Sequence, residues 1–272
     1  MTLWRVFLCC WLALPAMVAG ATQPQAAAQP GLVIALRVDG AISPASADYL
    51  VRGMEQADQR GAQAVLLELD TPGGLSSSMR DIIKAILASR VPVIGYVAPQ
   101  GARAASAGTY ILYACHVAAM APATNIGAAT PVAITGGDAL PAPGKKASEE
   151  SPGSTEMRKA TNDAVAYIRA LAERRGRNAD WAEQAVRAAA SSSAEQALQD
   201  HVIDLMAPDV PALLASVDGR RVETTAGARV LHTGHAVVED ILPDARSRFL
   251  GVIADPQVAL ILLLLGLGGL VM

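Results

Sequence analysis

The chain has 272 residues, of which 52% are hydrophobic, 17% charged and 4% aromatic, and its net charge is −3. This length allows one large domain or two small ones. Because the sequence contains no basic run, nothing in it indicates binding to nucleic acid or to an anionic surface. The scarcity of aromatic residues also argues against base stacking or sugar binding as the main activity.

The N-terminal residues are typical of a signal peptide over 1–21. Arg5 supplies a positive charge, an apolar run follows over 6–18, and small residues occupy 19–21. The apolar run is short for a bilayer span, and an uncleaved anchor is the alternative. A polar linker is expected over 22–30. Two of the three cysteines lie in the signal segment, so Cys115 stands alone and we expect no internal disulfide and no metal cluster.

Beyond the linker, apolar strands and helices alternate. The sequence predicts strands over 32–38, 64–69 and 91–97, separated by helices over 44–59 and 75–89. Near-continuous apolar strands that alternate with helices predict a parallel sheet covered by helices on both faces, which is an α/β fold. In such sheets the functional residues lie at the carboxyl ends of the strands.

The second half of the chain is more varied. Residues 135–153 are rich in Gly, Pro, Lys and Glu and predict a mobile loop. A helix is expected to follow, with its apolar face formed by Ala164, Val165, Ile168, Leu171 and Ala172. Residues 193–206 predict a short helix and strand, and residues 220–239 a β-hairpin. The main domain is therefore expected over 31–219, with a hairpin and juxtamembrane segment over 220–256.

The C-terminal residues 258–272 carry no charge. As a helix they would measure about 22 Å, short of the roughly 30 Å hydrocarbon core of a bilayer. We expect a truncated transmembrane helix over 257–272, and a buried core helix is the alternative.

Two turns carry candidate chemistry. Gly73 and Gly74 follow the second strand, and glycines there allow backbone N–H groups to point at an oxyanion, although an ordinary turn would use the same residues. Ser106 lies among small residues after the third strand, where a helix N-terminus favours developing negative charge. The N–H of Ala107 would be a further oxyanion donor. The alternative is that Ser106 only caps the helix.

A nucleophilic serine needs a base. The histidines, which are His116, His201, His232 and His235, do not stand where a serine–histidine pair would be obvious. Lys84 belongs to the helix after the glycine turn and is expected to face solvent. Arginine stays protonated, so the candidates left are Lys145, Lys146 and Lys159.

Several motifs in order resemble the NfeD-type membrane serine proteases, which have a Clp-like fold and are distantly related to crotonases. The matching segments are 70–74, 105–110, 121–128, 159–169, 193–198 and 202–204, and the resemblance extends over about 31–272. The resemblance implies a Ser–Lys dyad of Ser106 and Lys159, with Gly73, Gly74 and Ala107 as oxyanion donors. It implies no cofactor and no metal.

The resemblance also implies a biological setting. Members of this family cleave apolar segments of membrane-associated proteins such as stomatin-like partners, and they act as homodimers. With a signal peptide and an apolar C-terminus, the catalytic domain is expected at the membrane on the extracytoplasmic, periplasmic side. The alternatives are a crotonase-type acyl-CoA enzyme, which export disfavours, and a non-catalytic scaffold that binds a stomatin-like protein.

The choice of lysine depends on where the helix of Ile168 begins. If the helix already exists at residue 159, its phase places Lys159 away from the apolar face. If it begins near 161, Lys159 lies where the loop rejoins packed structure and becomes buried. Lys145 and Lys146 lie in mid-loop near Glu149 and Glu150 and are expected to stay solvated. We therefore favour Lys159, in agreement with the resemblance.

Overall fold

The computed structural model describes residues 31–132 and 152–245, together with Val258. The first half follows the predicted alternation of strands and helices. Its elements are β1 (Leu32–Asp39), α1 (Pro44–Gln59), β2 (Ala64–Asp70), α2 (Ser76–Ala88) and β3 (Val93–Val97). Local sequence explains where α1 starts. Ser43 and Ser46 form a reciprocal capping box, and Pro44 occupies the first turn, where its missing N–H costs nothing.

The second half consists of shorter elements. In chain order they are β4 (Arg103–Ala105), α3 (Ala107–Ala114), β5 (Val117–Met120), β6 (Asn125–Gly127), α4 (Pro152–Arg175), α5 (Ala179–Arg187), β7 (Ser191–Ser193), α6 (Ala194–Gln199), β8 (Leu205–Met206), α7 (Val210–Val217), β9 (Arg221–Thr224), β10 (Gly227–Val230) and β11 (Val237–Asp240).

Six strands form the main sheet in the order β11-β1-β2-β3-β5-β8, and every neighbouring pair is parallel. The central strands are apolar along almost their whole length because both of their faces are covered. Helices α1 to α5 pack on one face, and α7 with the segment around Val222 and Leu231 covers the other. The predicted α/β fold with a parallel sheet and helices is therefore confirmed.

A second sheet of three short strands, in the order β4-β6-β7, was not predicted from the sequence. It lies beyond the carboxyl ends of the main strands, and an isolated bridge between Thr71 and Ala104 connects it to the end of β2. The residues of the predicted serine turn belong to this sheet and to the start of α3. The small sheet therefore holds that turn at the carboxyl edge of the main sheet.

The predicted hairpin over 220–239 is only partly correct. Strands β9 and β10 form an antiparallel hairpin, but β11 leaves it and joins the main sheet parallel to β1. Ion pairs fix β11 there, because Arg37 contacts Asp240 at 3.1 Å and Arg60 contacts Glu239 at 2.6 Å. Strand β1 is therefore an internal strand of the sheet.

Several predictions concern other parts of the chain. The predicted signal peptide (1–21) and linker (22–30) lie outside the described residues. So does nearly all of the predicted loop (135–153) and of the predicted transmembrane segment (257–272). Within 31–132 and 152–245 no helix has the length and hydrophobicity needed to cross a membrane. The proposed domain boundaries stay predictions.

Candidate active site

Ser106 stands between β4 and α3 in an unusual backbone conformation. Its φ is +51° and its ψ is −114°, a region that non-glycine residues adopt rarely and at a cost of about 1–3 kcal/mol. Its side chain makes no capping hydrogen bond to α3. The alternative interpretation of Ser106 as a simple helix cap is therefore wrong, and the hydroxyl is left for another role.

The small sheet holds this backbone conformation in place. The N–H of Ser106 donates to the carbonyl oxygen of Gly127 in β6 at 3.0 Å. The hydroxyl of Thr109, which is completely buried, lies 3.0 Å from the same oxygen and 2.9 Å from that of Ala104. The strain at Ser106 is thus maintained by contacts on both sides of the turn.

The glycine turn lies directly against the serine. A Cβ on Gly73 would come within 2.6 Å of the Ser106 Cβ, and a Cβ on Gly74 within 2.1 Å of the Ile42 carbonyl oxygen. Both glycines also have positive φ, +119° and +153°. Two backbone hydrogen bonds join the turns, because the N–H of Thr71 donates to Arg103 and the N–H of Ala105 donates to Thr71. Only glycine satisfies these contacts at 73 and 74.

The three predicted oxyanion donors differ in what their N–H groups contact. The N–H of Gly73 donates to the Thr71 hydroxyl oxygen at 3.1 Å, so Gly73 in this geometry shapes the turn and is not a direct donor. A role of Gly73 as an oxyanion donor therefore stays a prediction. Ala107 is the first residue of α3, where N–H groups have no partner inside the helix. Among the described residues, neither the N–H of Ala107 nor that of Gly74 donates to a backbone oxygen.

Ser106, Gly74 and Ala107 line one cavity of about 260 Å³. The rest of its wall comes from α2, α3 and α4 and from the segment after β6. These residues are Ser76, Met79, Arg80, Tyr110, Pro131, Ala160, Asp163, Ala164 and Tyr167. The serine and the two residues with available N–H groups therefore line a common space that a peptide carbonyl group could enter.

Lys159 is not where the sequence analysis expected it. Helix α4 begins at Pro152, not near 161, so Lys159 lies inside a regular helix with its side chain exposed. The helix extends this far because its first turn tolerates proline and residues 156–160 are good helix formers. Lys159 does not line the cavity, although the next residue, Ala160, does. The structure does not bring the Lys159 side chain beside Ser106.

The other candidate bases lie elsewhere. His116 lies beyond the opposite end of α3, a helix about 12 Å long. It is 7% exposed, and its Nδ1 accepts the N–H of Val93 at 3.1 Å. Burial and the nearby charges of Arg175, Arg174 and Arg177 lower its pKa to about 3. No histidine lines the cavity, and Lys84 is exposed beside Asp81. Lys145 and Lys146 lie outside the described residues.

Three residues of the cavity, Arg80, Asp163 and Tyr167, were missed by sequence reasoning. Arg80 on α2 forms an ion pair with Asp163 on α4, and its guanidinium lies 4.5 Å from the centre of the Tyr167 ring. Asp163 and Tyr167 lie in the segment 159–169 that carries the family resemblance, but no motif indicates their contact with Arg80. No group of three or more His, Cys, Asp or Glu side chains within the described ranges could hold a metal ion.

Residues 32–213 match the family model described as NfeD1b, N-terminal domain. The chain is 36% identical over 244 residues to "Membrane-bound protease PH1510" from Pyrococcus horikoshii, covering 88% of this chain and 52% of that protein. It is 37% identical over 108 residues to "Membrane protein NfeD1b" from Bacillus subtilis, covering 39% and 24%. The chain thus spans about half of the first relative and a quarter of the second.

Solved structures of the 1510-N membrane-bound stomatin-specific protease have the same fold. A lysine-to-alanine mutant in complex with a substrate peptide aligns with a TM-score of 0.71 at 34% identity, covering 84% of this chain and 99% of the other. A serine-to-alanine mutant aligns with a TM-score of 0.68 at 35% identity, covering 79% and 99%. With the family model matching most of its described residues, this chain belongs to the NfeD1b family through that family's N-terminal domain.

Proposed function

We propose that this chain is a membrane-associated serine endopeptidase in which Ser106 is the nucleophile. One observation carries the proposal. Ser106 is held at positive φ at the N-terminus of α3, its hydroxyl does not cap that helix, and it lines the same cavity as Gly74 and Ala107. A strained serine beside preorganised donors is the arrangement that acyl transfer requires.

The reaction would proceed through an acyl-enzyme. Oγ of Ser106 attacks the carbonyl carbon of the scissile peptide bond while its proton passes to a base. The resulting oxyanion accepts hydrogen bonds from the N–H groups of Gly74 and Ala107, and the positive end of the α3 dipole stabilises it further. The C–N bond then breaks, and the base returns the proton to the leaving amine. Water hydrolyses the ester in a second step of the same kind.

We propose Lys159 as the base. It follows from the family resemblance, and one feature of the structure supports it, since Lys159 directly precedes the cavity residue Ala160 on α4. A lysine side chain is long, and catalytic hydrogen bonds often form only when substrate is bound. A substrate that extends from the cavity over α4 would also exclude water from the amine. Lys145 and Lys146 are the alternatives.

The proposed substrates are membrane-associated proteins with apolar segments, such as stomatin-like proteins. Solved relatives that are about one-third identical in sequence to this chain are named for specificity toward stomatin, and one is bound to a substrate peptide. Met79, Tyr110 and Ala164 give the cavity an apolar wall that would suit such a segment. The membrane location, the extracytoplasmic side and the homodimer belong to this proposal as predictions.

The exposed position of Lys159 favours a second candidate, a non-catalytic scaffold that binds a stomatin-like protein. A fluorophosphonate probe separates the two, because it reacts only with an activated serine. We expect the wild type to be labelled and Ser106→Ala to be unlabelled. Ser76→Ala is the matched control, since Ser76 lines the same cavity and its removal should leave labelling intact. An unlabelled wild type, or labelling that survives in Ser106→Ala, would reject Ser106 as an activated nucleophile.

A further inference from the structure

The rim of the Ser106 cavity carries one ion pair that joins two helices. Arg80 comes from α2 and Asp163 from α4, and Nη2 of Arg80 donates to Oδ2 of Asp163. The Arg80 guanidinium also lies 4.5 Å from the centre of the Tyr167 ring, which stacks on Tyr110 at 6.3 Å. The guanidinium is therefore held by a carboxylate at its edge and by an aromatic ring at its face.

Arg80 and Asp163 are the two charged residues among the described residues that line this cavity. Their charges cancel. Their side chains are 38% and 68% exposed, so the pair lies where the cavity meets solvent. The proposed function would bring the substrate peptide to this rim. A charged substrate residue placed there would lose water and meet a partner that is already paired. An uncharged residue would suffer no such penalty.

We propose that the Arg80–Asp163 pair determines substrate specificity by keeping the rim electrically neutral, so that uncharged peptide segments are preferred beside the scissile bond. The inference rests on the proposed peptidase function and deepens it. Its mechanism is discrimination against charge, which complements the attraction that the apolar wall provides. Breaking the pair from either side should then create a preference for the opposite charge.

The test measures peptide binding in a Ser106→Ala background, so that it does not depend on turnover. Labelled apolar peptides carry Gln, Glu or Lys at one position, and that position is moved stepwise across the central residues. With the pair intact, the Gln peptides should bind most tightly. Asp163→Asn should favour Glu peptides and Arg80→Gln should favour Lys peptides, each by about three- to tenfold at low salt. The double variant should return to a preference for Gln.

Matched controls separate charge from shape. Arg80→Lys keeps the charge and should keep the preference for Gln, even if all affinities fall together. Arg60→Gln breaks the remote surface pair with Glu239 and should leave the ranking unchanged. Raising the salt concentration should reduce the altered preferences of the single variants, because exposed charges are screened.

An identical ranking of the three peptides in all four combinations of residues 80 and 163 would overturn the proposal. A uniform loss of affinity for every peptide would do the same, since it would show that the pair only supports the packing of α2 against α4. Failure of the peptidase proposal is visible separately, as absence of probe labelling at Ser106 in the wild type.

Discussion

The two ends of α3 are built in opposite ways. At the N-terminus, Ala107 lines the cavity and the Ser106 side chain makes no capping hydrogen bond. At the C-terminus, the guanidinium groups of two arginines donate hydrogen bonds to the carbonyl oxygens. Arg177 donates to those of Leu112, Tyr113 and Cys115, and Nε of Arg175 donates to that of Ala114 at 2.8 Å.

The C-terminal end of α3, called the closed end below, also carries a buried ion pair. The Arg177 side chain is 2% exposed and lies 2.7 Å from Asp204, which Arg220 contacts from the other side. Burial alone would raise the pKa of Asp204, but Arg177, the N–H of Ala118 and Arg220 together hold it below its usual value. The comparison shows that one helix uses its satisfied end for stability and keeps its unsatisfied end for chemistry.

The largest expected effect concerns the N-terminal end of α3, called the open end below. Ser106→Ala should lower peptidase activity by several orders of magnitude, because it removes the nucleophile. It should change the unfolding temperature by no more than about 2 °C, since the side chain makes no capping bond and the backbone strain is unchanged. Activity on an apolar peptide and thermal unfolding are measured on the same preparations. A variant with a tenth of wild-type activity would contradict the nucleophile assignment.

The lysine variants sharpen the description of the open end. Lys159→Ala should lower kcat by about 100-fold or more, the usual contribution of a general base. Lys84→Ala on α2 is the matched control, and Lys145→Ala and Lys146→Ala should also stay active. Loss of activity in a variant of 145 or 146, with Lys159→Ala active, would assign the base to the loop.

At the closed end, Arg177→Met should lower the free energy of unfolding by about 3–5 kcal/mol. The substitution leaves the buried Asp204 short of a partner and removes the donors to three carbonyl oxygens. Urea unfolding measures the loss, and Arg174→Met, which changes an exposed neighbour, should cost under about 1 kcal/mol. If Arg177→Met lowered the free energy of unfolding by a similarly small amount, the contacts at the closed end would not stabilise the protein as described.

The smallest effect is a change in acid sensitivity. Folded His116 stays neutral because its pKa is lowered to about 3, whereas the unfolded chain binds a proton below about pH 6.5. Stability should therefore fall as the pH drops below 6.5, by up to about 1.4 kcal/mol per pH unit.

His116→Asn keeps an acceptor for the Val93 N–H and removes this titration. The variant should show a shallower loss of unfolding temperature between pH 7 and pH 5. His201→Asn is the control, because His201 is exposed and its replacement should leave the slope unchanged. Equal slopes in His116→Asn and the wild type would show that His116 does not control acid sensitivity.

Much of the fold could be predicted because its signals are local. The apolar runs of β1, β2 and β3 and the helical periods between them gave the alternation directly. Strands β4, β6 and β7 have three residues each, and their pairing depends on partners far away in the sequence. Strand β11 is exposed along its length, so no apolar alternation marks it.

The residues of the site also divide into those that could be predicted from local signals and those that could not. Ser106, Gly74 and Ala107 were predicted to lie together because parallel strands bring their carboxyl ends to one edge. Arg80, Asp163 and Tyr167 were missed, since their contacts arise only from the packing of α2 near α4. The start of α4 was misplaced because Pro152 and Gly153 indicate a loop when read locally, although proline fits the first turn of a helix.

The close approach of Gly73 to Ser106 offers a way to recognise relatives that have lost the reaction. Any side chain at position 73 would occupy the space of the Ser106 Cβ and Oγ, with contacts of 2.6 and 3.0 Å. A homologue with a bulkier residue there must move its serine away from the Gly74 and Ala107 donors, even if the serine itself is retained. Such a pseudoprotease would be expected to bind peptides without cleaving them, and position 73 would identify it where the nucleophile alone would not.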